Sequence, residues 1–263
     1  MTKMGKVELY IHEILDTKGA MLFSFIDPLD YKSAEEAILT AEHVVKGGVD
    51  LVLLGGSTGV QGLVLDDVAQ GIKDKIDVPL VLFPGNIATI TTKADAIYFM
   101  SLLNSRNTYW ITQAQMQAAP VIKRASIEPL PVGYVVVYPG GTVGWIGDAN
   151  LVPREKPQIA ASLAMAGEFM GNRIIVTDTG SNPQLQNSSY VPKEMIRMVK
   201  ASINVPYIVA GGVKSIEDLK QVYASGADIV QIGTAFENHK VAYKHSVEFS
   251  KIVKEEGAKK LHR

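Results

Sequence analysis

The chain has 263 residues, the usual length of one α/β barrel, and 47% of them are hydrophobic. Its 26 basic and 27 acidic residues give a net charge of -1, so the charge balance argues against nucleic acid as a partner. The absence of cysteine excludes disulfide scaffolds, thiolate nucleophiles and cysteine-ligated metal centres.

The N-terminal segment 1–15 has an amphipathic helical pattern with charges throughout, unlike the continuous apolar stretch of a signal peptide. No run in the chain approaches the ~18 uncharged apolar residues that a membrane-spanning helix needs. We therefore expect no targeting segment, no integral membrane segment and a cytoplasmic location.

Short apolar runs then alternate with amphipathic stretches, a pattern typical of parallel strands joined by helices. Strands are predicted at 20–26, 49–55, 79–83, 95–101, 133–138, 173–178, 206–210 and 228–232. Helices are predicted at 33–46, 63–74, 106–124, 154–170, 192–202, 215–225 and 236–256. Eight strands in a chain of this length favour an α/β fold with one closed (β/α)8 TIM-like barrel, forming a single domain over 1–263.

The third unit of this barrel is too short for a normal crossover. Only the segment 84–94, PGNIATITTKA, lies between the third and fourth predicted strands. A loop, a helix of ordinary length and a second loop do not fit in it. The sequence therefore predicts that the third helix is missing or replaced by extended chain, which leaves a gap in the outer ring.

The residues that follow the strands are the candidates for function, because active sites of such barrels lie at the carboxyl ends of the strands. Gly211-Gly212 follows the seventh strand and Gly233-Thr234 the eighth, and Ser215 with Asp218 resembles a helix capping box. Glycine lets backbone N–H groups approach an anion closely, so these segments predict a phosphate site. Tight turns without a ligand are the alternative interpretation.

Two aspartates also end strands. Asp27 follows the first strand, where a carboxylate opposite a second phosphate predicts a bridging Mg²⁺ with the Ser57 hydroxyl as a candidate ligand. The alternative role of Asp27 is a helix cap. Asp178 follows the sixth strand and precedes the polar loop 179–192; it is a candidate to orient a substrate hydroxyl or accept its proton, or to fix this loop.

The chain resembles the geranylgeranylglyceryl phosphate synthase family along nearly its whole length. The segments that carry the resemblance are FIDP at 25–28, LLGGSTG at 53–59, FPGN at 83–86, VGYVVVYPGGTVGWIGDA at 132–149, VTDTGSN at 176–182, IVAGGVKS at 208–215 and IGTAFE at 232–237. The resemblance implies a modified barrel that uses Mg²⁺ to transfer a geranylgeranyl group from geranylgeranyl diphosphate to the C3 hydroxyl of sn-glycerol 1-phosphate. This reaction forms the first ether bond of archaeal membrane lipids.

The resemblance also implies residue roles. Asp178 and Asp27 would be catalytic, and Asp27 and Ser57 would bind the metal ion. The implied glycerol 1-phosphate site comprises Val176, Thr177, Asp178, Thr179, Gly180, Ser181, Asn182, Gly211, Gly212, Gly233 and Thr234. The chain departs from the family where Val176 and Asp178 replace frequent Tyr and Glu, where Leu29-Asp30 replaces a frequent Lys, and where Tyr138 replaces a frequent Glu.

Two other functions compete with prenyl transfer. One is a phosphate-binding barrel enzyme for flavin mononucleotide or a sugar phosphate, and the other is a degenerate, non-catalytic protein that binds prenyl lipid. We further expect a homo-oligomer, a dimer or hexamer, in which an exposed Trp145 would contact another subunit unless it packs locally. Leu102 and Leu103 are predicted to line an apolar groove beside the gap, with ordinary packing as the alternative.

Overall fold

The computed structural model describes residues 4–262 and contains a closed barrel of eight parallel strands. Each strand pairs with the next one in the chain, and the eighth pairs with the first. The strands are β1 (Met21–Ile26), β2 (Leu51–Gly56), β3 (Leu80–Pro84), β4 (Ala96–Leu102), β5 (Glu128–Val136), β6 (Ile174–Asp178), β7 (Tyr207–Ala210) and β8 (Ile229–Ile232). The predicted fold class is confirmed, and each predicted strand overlaps one strand of the barrel.

The helices surround this barrel. They are α1 (Lys6–Lys18), α2 (Ala34–Lys46), α3 (Gly62–Lys73), α4 (Ala114–Ala125), α5 (Gly141–Ile146), α6 (Pro157–Phe169), α7 (Lys193–Ser202), α8 (Ile216–Ala224) and α9 (His239–Leu261). Residues 1–3 of the predicted N-terminal helix, and the two ends of the predicted single domain, lie outside the described residues. No helix within 4–262 is both long and apolar enough to cross a bilayer.

Two elements differ from the prediction. Strand β5 begins at Glu128, earlier than predicted, although Pro129 and Pro131 lie within it. Its first residues pair only with β4, because pairing with β6 starts at Val132, and proline is tolerated where one edge of a strand is free. Helix α5 was not predicted, since it begins at a Gly-Gly pair with low helix propensity.

The missing third crossover helix is confirmed. Between β3 and β4 the segment 85–95 forms turns and extended chain. The Thr89 hydroxyl donates a hydrogen bond to the Val60 carbonyl oxygen at 3.0 Å, and the Asp95 carboxylate accepts one from Leu80 N at 2.8 Å. These bonds hold the segment against its neighbours without a helix, so the outer face of β3 and β4 is left open on this side.

The barrel interior is an apolar core closed by alternate strand residues, because successive side chains of a strand point to opposite faces. Its largest buried members include Phe23, Tyr98 and Tyr134. A second apolar layer lies between the strands and the outer helices. Toward the carboxyl ends of the strands, Asp178 and Gln231 introduce polar groups into an otherwise apolar interior.

Candidate active site

A cavity of about 1090 Å³, measured with its open mouth, lies at the carboxyl ends of the strands. The residues that line it come from every strand except β5 and from segments that follow the strands, including α5 after β5. Predicted site residues that line this cavity are Ser57, Asp178, Gly180, Ser181, Asn182, Gly211, Gly212, Gly233 and Thr234. The folded chain thus brings together residues that the sequence spreads over 178 positions.

The glycines after β7 form the most constrained part of the cavity wall. Gly211 and Gly212 have φ of 79° and 77°, a conformation that side chains with Cβ rarely adopt. A Cβ added to Gly211 would lie 2.5 Å from Asp178 Oδ1, and one added to Gly212 would lie 2.6 Å from Tyr190 N. Glycine is therefore required here for backbone geometry and for close packing, and it leaves the backbone exposed to the cavity.

Helix α8 begins directly after this turn. Ser215 Oγ accepts a hydrogen bond from Asp218 N at 3.1 Å, and Asp218 Oδ2 accepts one from Ser215 N at 3.1 Å, which confirms the predicted capping box. The Gly233-Thr234 turn lies on the adjacent strand and lines the same side of the cavity. A helix start beside two glycine-rich turns is an arrangement that favours an anion.

The polar loop 179–192 folds over these glycines. Gln184 Nε2 donates a hydrogen bond to Gly212 O at 3.0 Å, and Lys214 Nζ donates one to Asn182 Oδ1 at 2.9 Å. The guanidinium of Arg154 donates to the carbonyl oxygens of Ser189 and Tyr190 at 3.0 and 2.8 Å. Sequence reasoning missed Arg154, because nothing in the local sequence indicates that it holds a loop located over 30 residues away.

Asp178 is a buried carboxylate whose side chain also lines the cavity. The Tyr134 hydroxyl donates to its Oδ2 at 2.5 Å, and Gly180 N donates to its Oδ1 at 2.7 Å. Burial raises the pKa of Asp178, and these two hydrogen bonds oppose that rise. The Asp178 carboxylate therefore fixes the start of the loop 179–192, and it also faces the cavity, where it could contact a substrate.

Asp27 caps the short 3-10 helix Pro28–Asp30, since its Oδ1 accepts a hydrogen bond from Leu29 N at 3.0 Å. The capping geometry is thus confirmed. Burial raises the pKa of Asp27 to about 6, opposed by the Leu29 hydrogen bond and aided by repulsion from Asp30 and Glu237. A cation at this carboxylate would relieve both the burial cost and the repulsion.

The chemistry of these residues fits a magnesium ion that is only partly held by protein. Among residues 4–262, no three His, Cys, Asp or Glu side chains are placed to hold a metal ion together. Mg²⁺ is often bound by one or two carboxylates, with substrate phosphates and water as the other ligands. Asp27 lies close to the Gly56 backbone, as shown by the distance of 2.4 Å between Asp27 Oδ2 and a Cβ added to Gly56. Ser57, the next residue, lines the cavity wall.

Four predicted site residues are not among those that line the cavity: Asp27, which lies against Gly56, and Val176, Thr177 and Thr179. Val176 is buried in the barrel core beneath Asp178, and the Thr177 hydroxyl is paired with the Tyr207 hydroxyl at 2.7 Å. Thr179 is fully buried, and its carbonyl oxygen accepts a hydrogen bond from Gly140 N. The strand alternation explains this, since it places Asp178 inward and its neighbour Thr177 outward. These residues support the wall of the cavity.

An apolar groove opens from the cavity at the gap of the third unit. The cavity and the groove share four lining residues, Pro84, Met100, Leu102 and Trp110. From there the groove continues between the segment 84–90 and α4, where it is lined by Ile90, Ile97, Phe99, Ala118 and Ile122. The prediction for Leu102 is confirmed. The prediction for Leu103 is wrong, because this side chain points to the other face of β4 and packs near Gly133 and Gly167.

Trp145 lies in α5, where its side chain is 88% exposed. The alternative of local packing is therefore wrong, and a subunit contact stays a prediction. None of the histidines is among the residues that line the cavity; His43 and His245 contact backbone carbonyl oxygens of His239 and Ala235. The cavity chemistry thus rests on carboxylates, hydroxyls and backbone groups.

These features define a (β/α)8 barrel whose cavity combines glycine-rich turns, a buried carboxylate and an apolar groove. The chain belongs to the PcrB family, whose pattern matches residues 13–252. It is 49% identical over 238 residues to the geranylgeranylglyceryl phosphate synthase of Pyrococcus horikoshii, covering 90% of this chain and 91% of that protein. It is 48% identical over 233 residues to the protein of the same name from Methanothermobacter thermautotrophicus, covering 89% and 92%.

A solved structure agrees with the fold in detail. The crystal structure of (S)-3-O-geranylgeranylglyceryl phosphate synthase from Thermoplasma acidophilum, in complex with its substrate sn-glycerol-1-phosphate, has a TM-score of 0.89 to this chain. The two sequences are 33% identical, and the match covers 96% of this chain and 100% of that one.

Proposed function

We propose that this chain transfers the geranylgeranyl group of geranylgeranyl diphosphate to the C3 hydroxyl of sn-glycerol 1-phosphate. The relatives named above support this proposal through the activity in their names. The observation that carries it is a single cavity that joins a glycine-rich anion site and a buried carboxylate to an apolar groove. A phosphorylated polar acceptor and a long apolar donor need these two surfaces next to each other.

The glycerol phosphate belongs on the side of β7 and β8. The exposed backbone at Gly211-Gly212 and Gly233-Thr234 offers N–H donors, and the start of α8 adds a positive dipole end. Lys214, which lines the same side, adds a positive charge. A phosphate bound there would place the glycerol moiety toward the barrel axis, where Asp178 lies.

The proposed reaction forms one bond and breaks one. The C3 hydroxyl oxygen attacks C1 of the prenyl chain, the bond from C1 to the diphosphate oxygen breaks, and the diphosphate leaves with the electron pair. The hydroxyl proton passes to the Asp178 carboxylate, whose pKa is raised by burial and therefore closer to that of a useful base at neutral pH. Binding both substrates in one cavity also contributes by orientation.

Asp27 and Ser57 are the residues that would hold Mg²⁺. When bound, the ion would neutralise diphosphate charge and stabilise the departing group. Asp30 and Glu237, whose pKa values are raised mainly by burial, line the same wall and add negative charge that favours a cation. The cation would therefore bind on the β1–β2 side of the cavity.

The apolar groove is the proposed site of the prenyl chain. It occupies the place that a third crossover helix would fill, and most of its lining is aliphatic or aromatic. Each buried CH₂-sized group of a ligand is worth ~0.8 kcal/mol. The groove would therefore supply affinity in proportion to chain length, up to the point where the chain leaves it.

A cytoplasmic location and a homo-oligomer, a dimer or hexamer, are part of the proposal. Trp145 is a large exposed aromatic residue of the kind that is enriched at subunit interfaces. If Trp145 anchors such a contact, Trp145→Ala lowers the mass measured by light scattering at micromolar protein, whereas Phe169→Ala, at an equally exposed aromatic residue, leaves it unchanged. An unchanged mass for Trp145→Ala would remove Trp145 from the interface.

The activity is tested by incubating the purified protein with sn-glycerol 1-phosphate, Mg²⁺ and radiolabelled geranylgeranyl diphosphate. We expect an acid-stable ether-linked product with both the label and the phosphate. Absence of the product would favour the non-catalytic prenyl-binding alternative. An absorbance spectrum with a flavin band would favour the flavin mononucleotide alternative.

A further inference from the structure

Gln231 places a polar amide at the floor of the cavity. It is the third residue of β8, between Val230 and Ile232. It is 7% exposed, and it lines the cavity. Its Oε1 is buried and has no hydrogen-bond partner among the described residues. Buried amide oxygens are almost always paired, so this one calls for a partner that the described part of the chain does not supply.

The strand register brings Gln231 into one row with Asp178. Gln231 is paired with Ala210 on β7, and Ala210 is paired with Asp178 on β6. All three side chains point into the barrel and line the cavity. Since Ala210 is small, the row leaves a space between the carboxylate and the amide, directly inward of the Gly211-Gly212 turn.

The Asp178 carboxylate has limited capacity for a second hydroxyl. Its Oδ2 already accepts a hydrogen bond from Tyr134 and its Oδ1 accepts one from Gly180 N. A glycerol unit with its phosphate on the β7–β8 turns presents two hydroxyls, of which Asp178 would take the reacting one. The unpaired amide of Gln231 lies across Ala210 from it and offers both an acceptor and donors to the other.

We propose that Gln231 determines acceptor specificity by binding the C2 hydroxyl of sn-glycerol 1-phosphate. The inference rests on the proposed function and adds a residue that the sequence analysis did not single out. Gln231 is a positioning residue: by holding C2 it orients the C3 hydroxyl toward Asp178. Since the enantiomer, sn-glycerol 3-phosphate, directs its C2 hydroxyl differently, the same contact would also favour one enantiomer.

The test compares two acceptors that differ only in the C2 hydroxyl, sn-glycerol 1-phosphate and 3-hydroxypropyl phosphate, with geranylgeranyl diphosphate as donor. A site built to bind a hydroxyl rejects the analogue without it, so we expect the wild type to prefer glycerol 1-phosphate in kcat/KM by roughly 100-fold or more. In Gln231→Met, which keeps the side-chain length without hydrogen bonding, this preference falls at least roughly tenfold. The loss arises on the glycerol 1-phosphate side.

Ser24→Ala is the matched control. Ser24 Oγ is also buried without a partner within residues 4–262, but Ser24 lies on the outer face of β1, away from the cavity. We expect this variant to keep the wild-type preference. Should Gln231→Met lower kcat/KM for both acceptors by the same factor, the amide has a merely structural role and the inference is overturned.

A binding measurement keeps the test independent of turnover and of the variant's folding. Calorimetry on the wild-type protein, without donor, should give glycerol 1-phosphate a Kd at least roughly tenfold lower than that of 3-hydroxypropyl phosphate. Equal affinities would overturn the role of Gln231 while leaving prenyl transfer in place. Failure of the wild type to prenylate either acceptor would instead overturn the proposed function, and the inference with it.

Discussion

The β6–β8 side of the cavity is polar and glycine-rich, whereas the β3–β4 side is apolar and aromatic. On the first side, Gly211 and Gly212 take positive φ values so that the backbone itself faces the cavity. On the second, the outer helix is absent and side chains such as Phe99 and Trp110 line the groove. Both sides are variants of one strand–helix unit.

This difference shows how one repeated strand–helix unit can provide two different surfaces for ligands. The polar side keeps its crossover helices and changes the turns, because an anion needs only a few N–H donors at a fixed place. The apolar side keeps its strands and loses a helix, because a long hydrocarbon chain needs area. Asp178 ends β6, the strand of the polar side that is nearest to β4, and we expect the bond between the two ligands to form beside it.

The largest expected effect comes from the Asp178 carboxylate at the end of β6. In Asp178→Asn the amide oxygen can still accept from Gly180 N and the amide NH₂ can donate to the Tyr134 hydroxyl oxygen, but the side chain cannot take a proton. We expect kcat to fall by roughly 10²–10⁴-fold, the usual contribution of a general base. Glycerol 1-phosphate affinity, measured by calorimetry, should stay within a few fold. A variant with near wild-type kcat would show that another group takes the proton.

Asp27→Asn tests the cation on the β1–β2 wall. Losing a metal ligand should lower transfer by roughly 10²-fold or more at saturating Mg²⁺, because less charge is neutralised on the leaving diphosphate. Glycerol 1-phosphate binding should change only within a few fold. In wild type, Mg²⁺ with inorganic diphosphate should raise Tm; in the variant this rise should be lost. Turnover near that of wild type would exclude Asp27 as the essential ligand.

Asp27→Asn, which should lower activity, should at the same time raise the stability of the ligand-free protein. The pKa of Asp27 is raised from 3.8 to about 6, so the folded state favours the protonated carboxyl. The stability this group contributes is present below pH 3.8 and is lost as pH rises through about 6. At pH 7 without ligands, Asp27→Asn should therefore have a higher Tm than wild type, and at pH 3.5 the difference should shrink.

Gly212→Val tests the polar side alone. A valine at φ of 77° is strained, and its Cβ would meet the Tyr190 backbone, so the loop 179–192 must move off the anion site. We expect glycerol 1-phosphate affinity to fall roughly 10- to 100-fold, since several charge-assisted contacts weaken, while prenyl diphosphate affinity changes little. Gly171→Val is the matched control, since Gly171 also has positive φ but nothing within 4 Å of an added Cβ. Equal losses for both ligands would contradict the division.

Ala118→Trp tests the apolar side alone. Ala118 lines the groove from α4, so an indole there should block the far end of a C20 chain and leave room for a C10 chain. We expect kcat/KM for the C20 donor to fall roughly tenfold relative to the C10 donor, the value of about two buried CH₂ groups. Ala119→Trp, at the neighbouring exposed position, should leave the ratio unchanged. Equal losses for both donors in Ala118→Trp would place the chain elsewhere.

The smallest effect concerns the pH dependence. The hydrogen bond from Tyr134 lowers the pKa of Asp178 against the rise caused by burial, so Tyr134→Phe should raise this pKa further. The acid limb of the kcat/KM profile should then move to higher pH, because the charged carboxylate loses a hydrogen bond that stabilises it. An unmoved limb with a lower plateau would mean that Tyr134 only packs against its neighbours.

The sequence predicts the barrel because each buried strand is a short apolar run and each crossover helix has its own periodicity. It predicts the missing third helix from the length of the segment 84–94 between the third and fourth predicted strands. It does not predict which face of β4 carries Leu103 or Ser101, since an apolar run without alternation leaves the inward residues undefined. The Ser101 hydroxyl donates a hydrogen bond to Ile111 O, and Ser101 is not among the residues that line the groove.

For the site, strand ends were a sufficient signal for Ser57, Asp178 and the glycines. Contacts between distant segments were not predictable, and these include the bond from Tyr134 to Asp178 and the hold of Arg154 on the polar loop. Gln231 was also missed, because it lies inside β8, one residue before the strand end, in a run that resembles core. Only the register of β6, β7 and β8 places it beside Ala210 in the row of Asp178.

The division of the cavity between two ligands is tested most directly by a crystal structure with sn-glycerol 1-phosphate and an unreactive thiolo analogue of geranylgeranyl diphosphate. We expect the glycerol phosphate oxygens within hydrogen-bond distance of backbone N–H groups at Gly211-Gly212 and Gly233-Thr234. The prenyl chain should lie in the groove, against Phe99 and Ala118. A phosphate bound away from β7 and β8, or a chain outside the groove, would contradict the account.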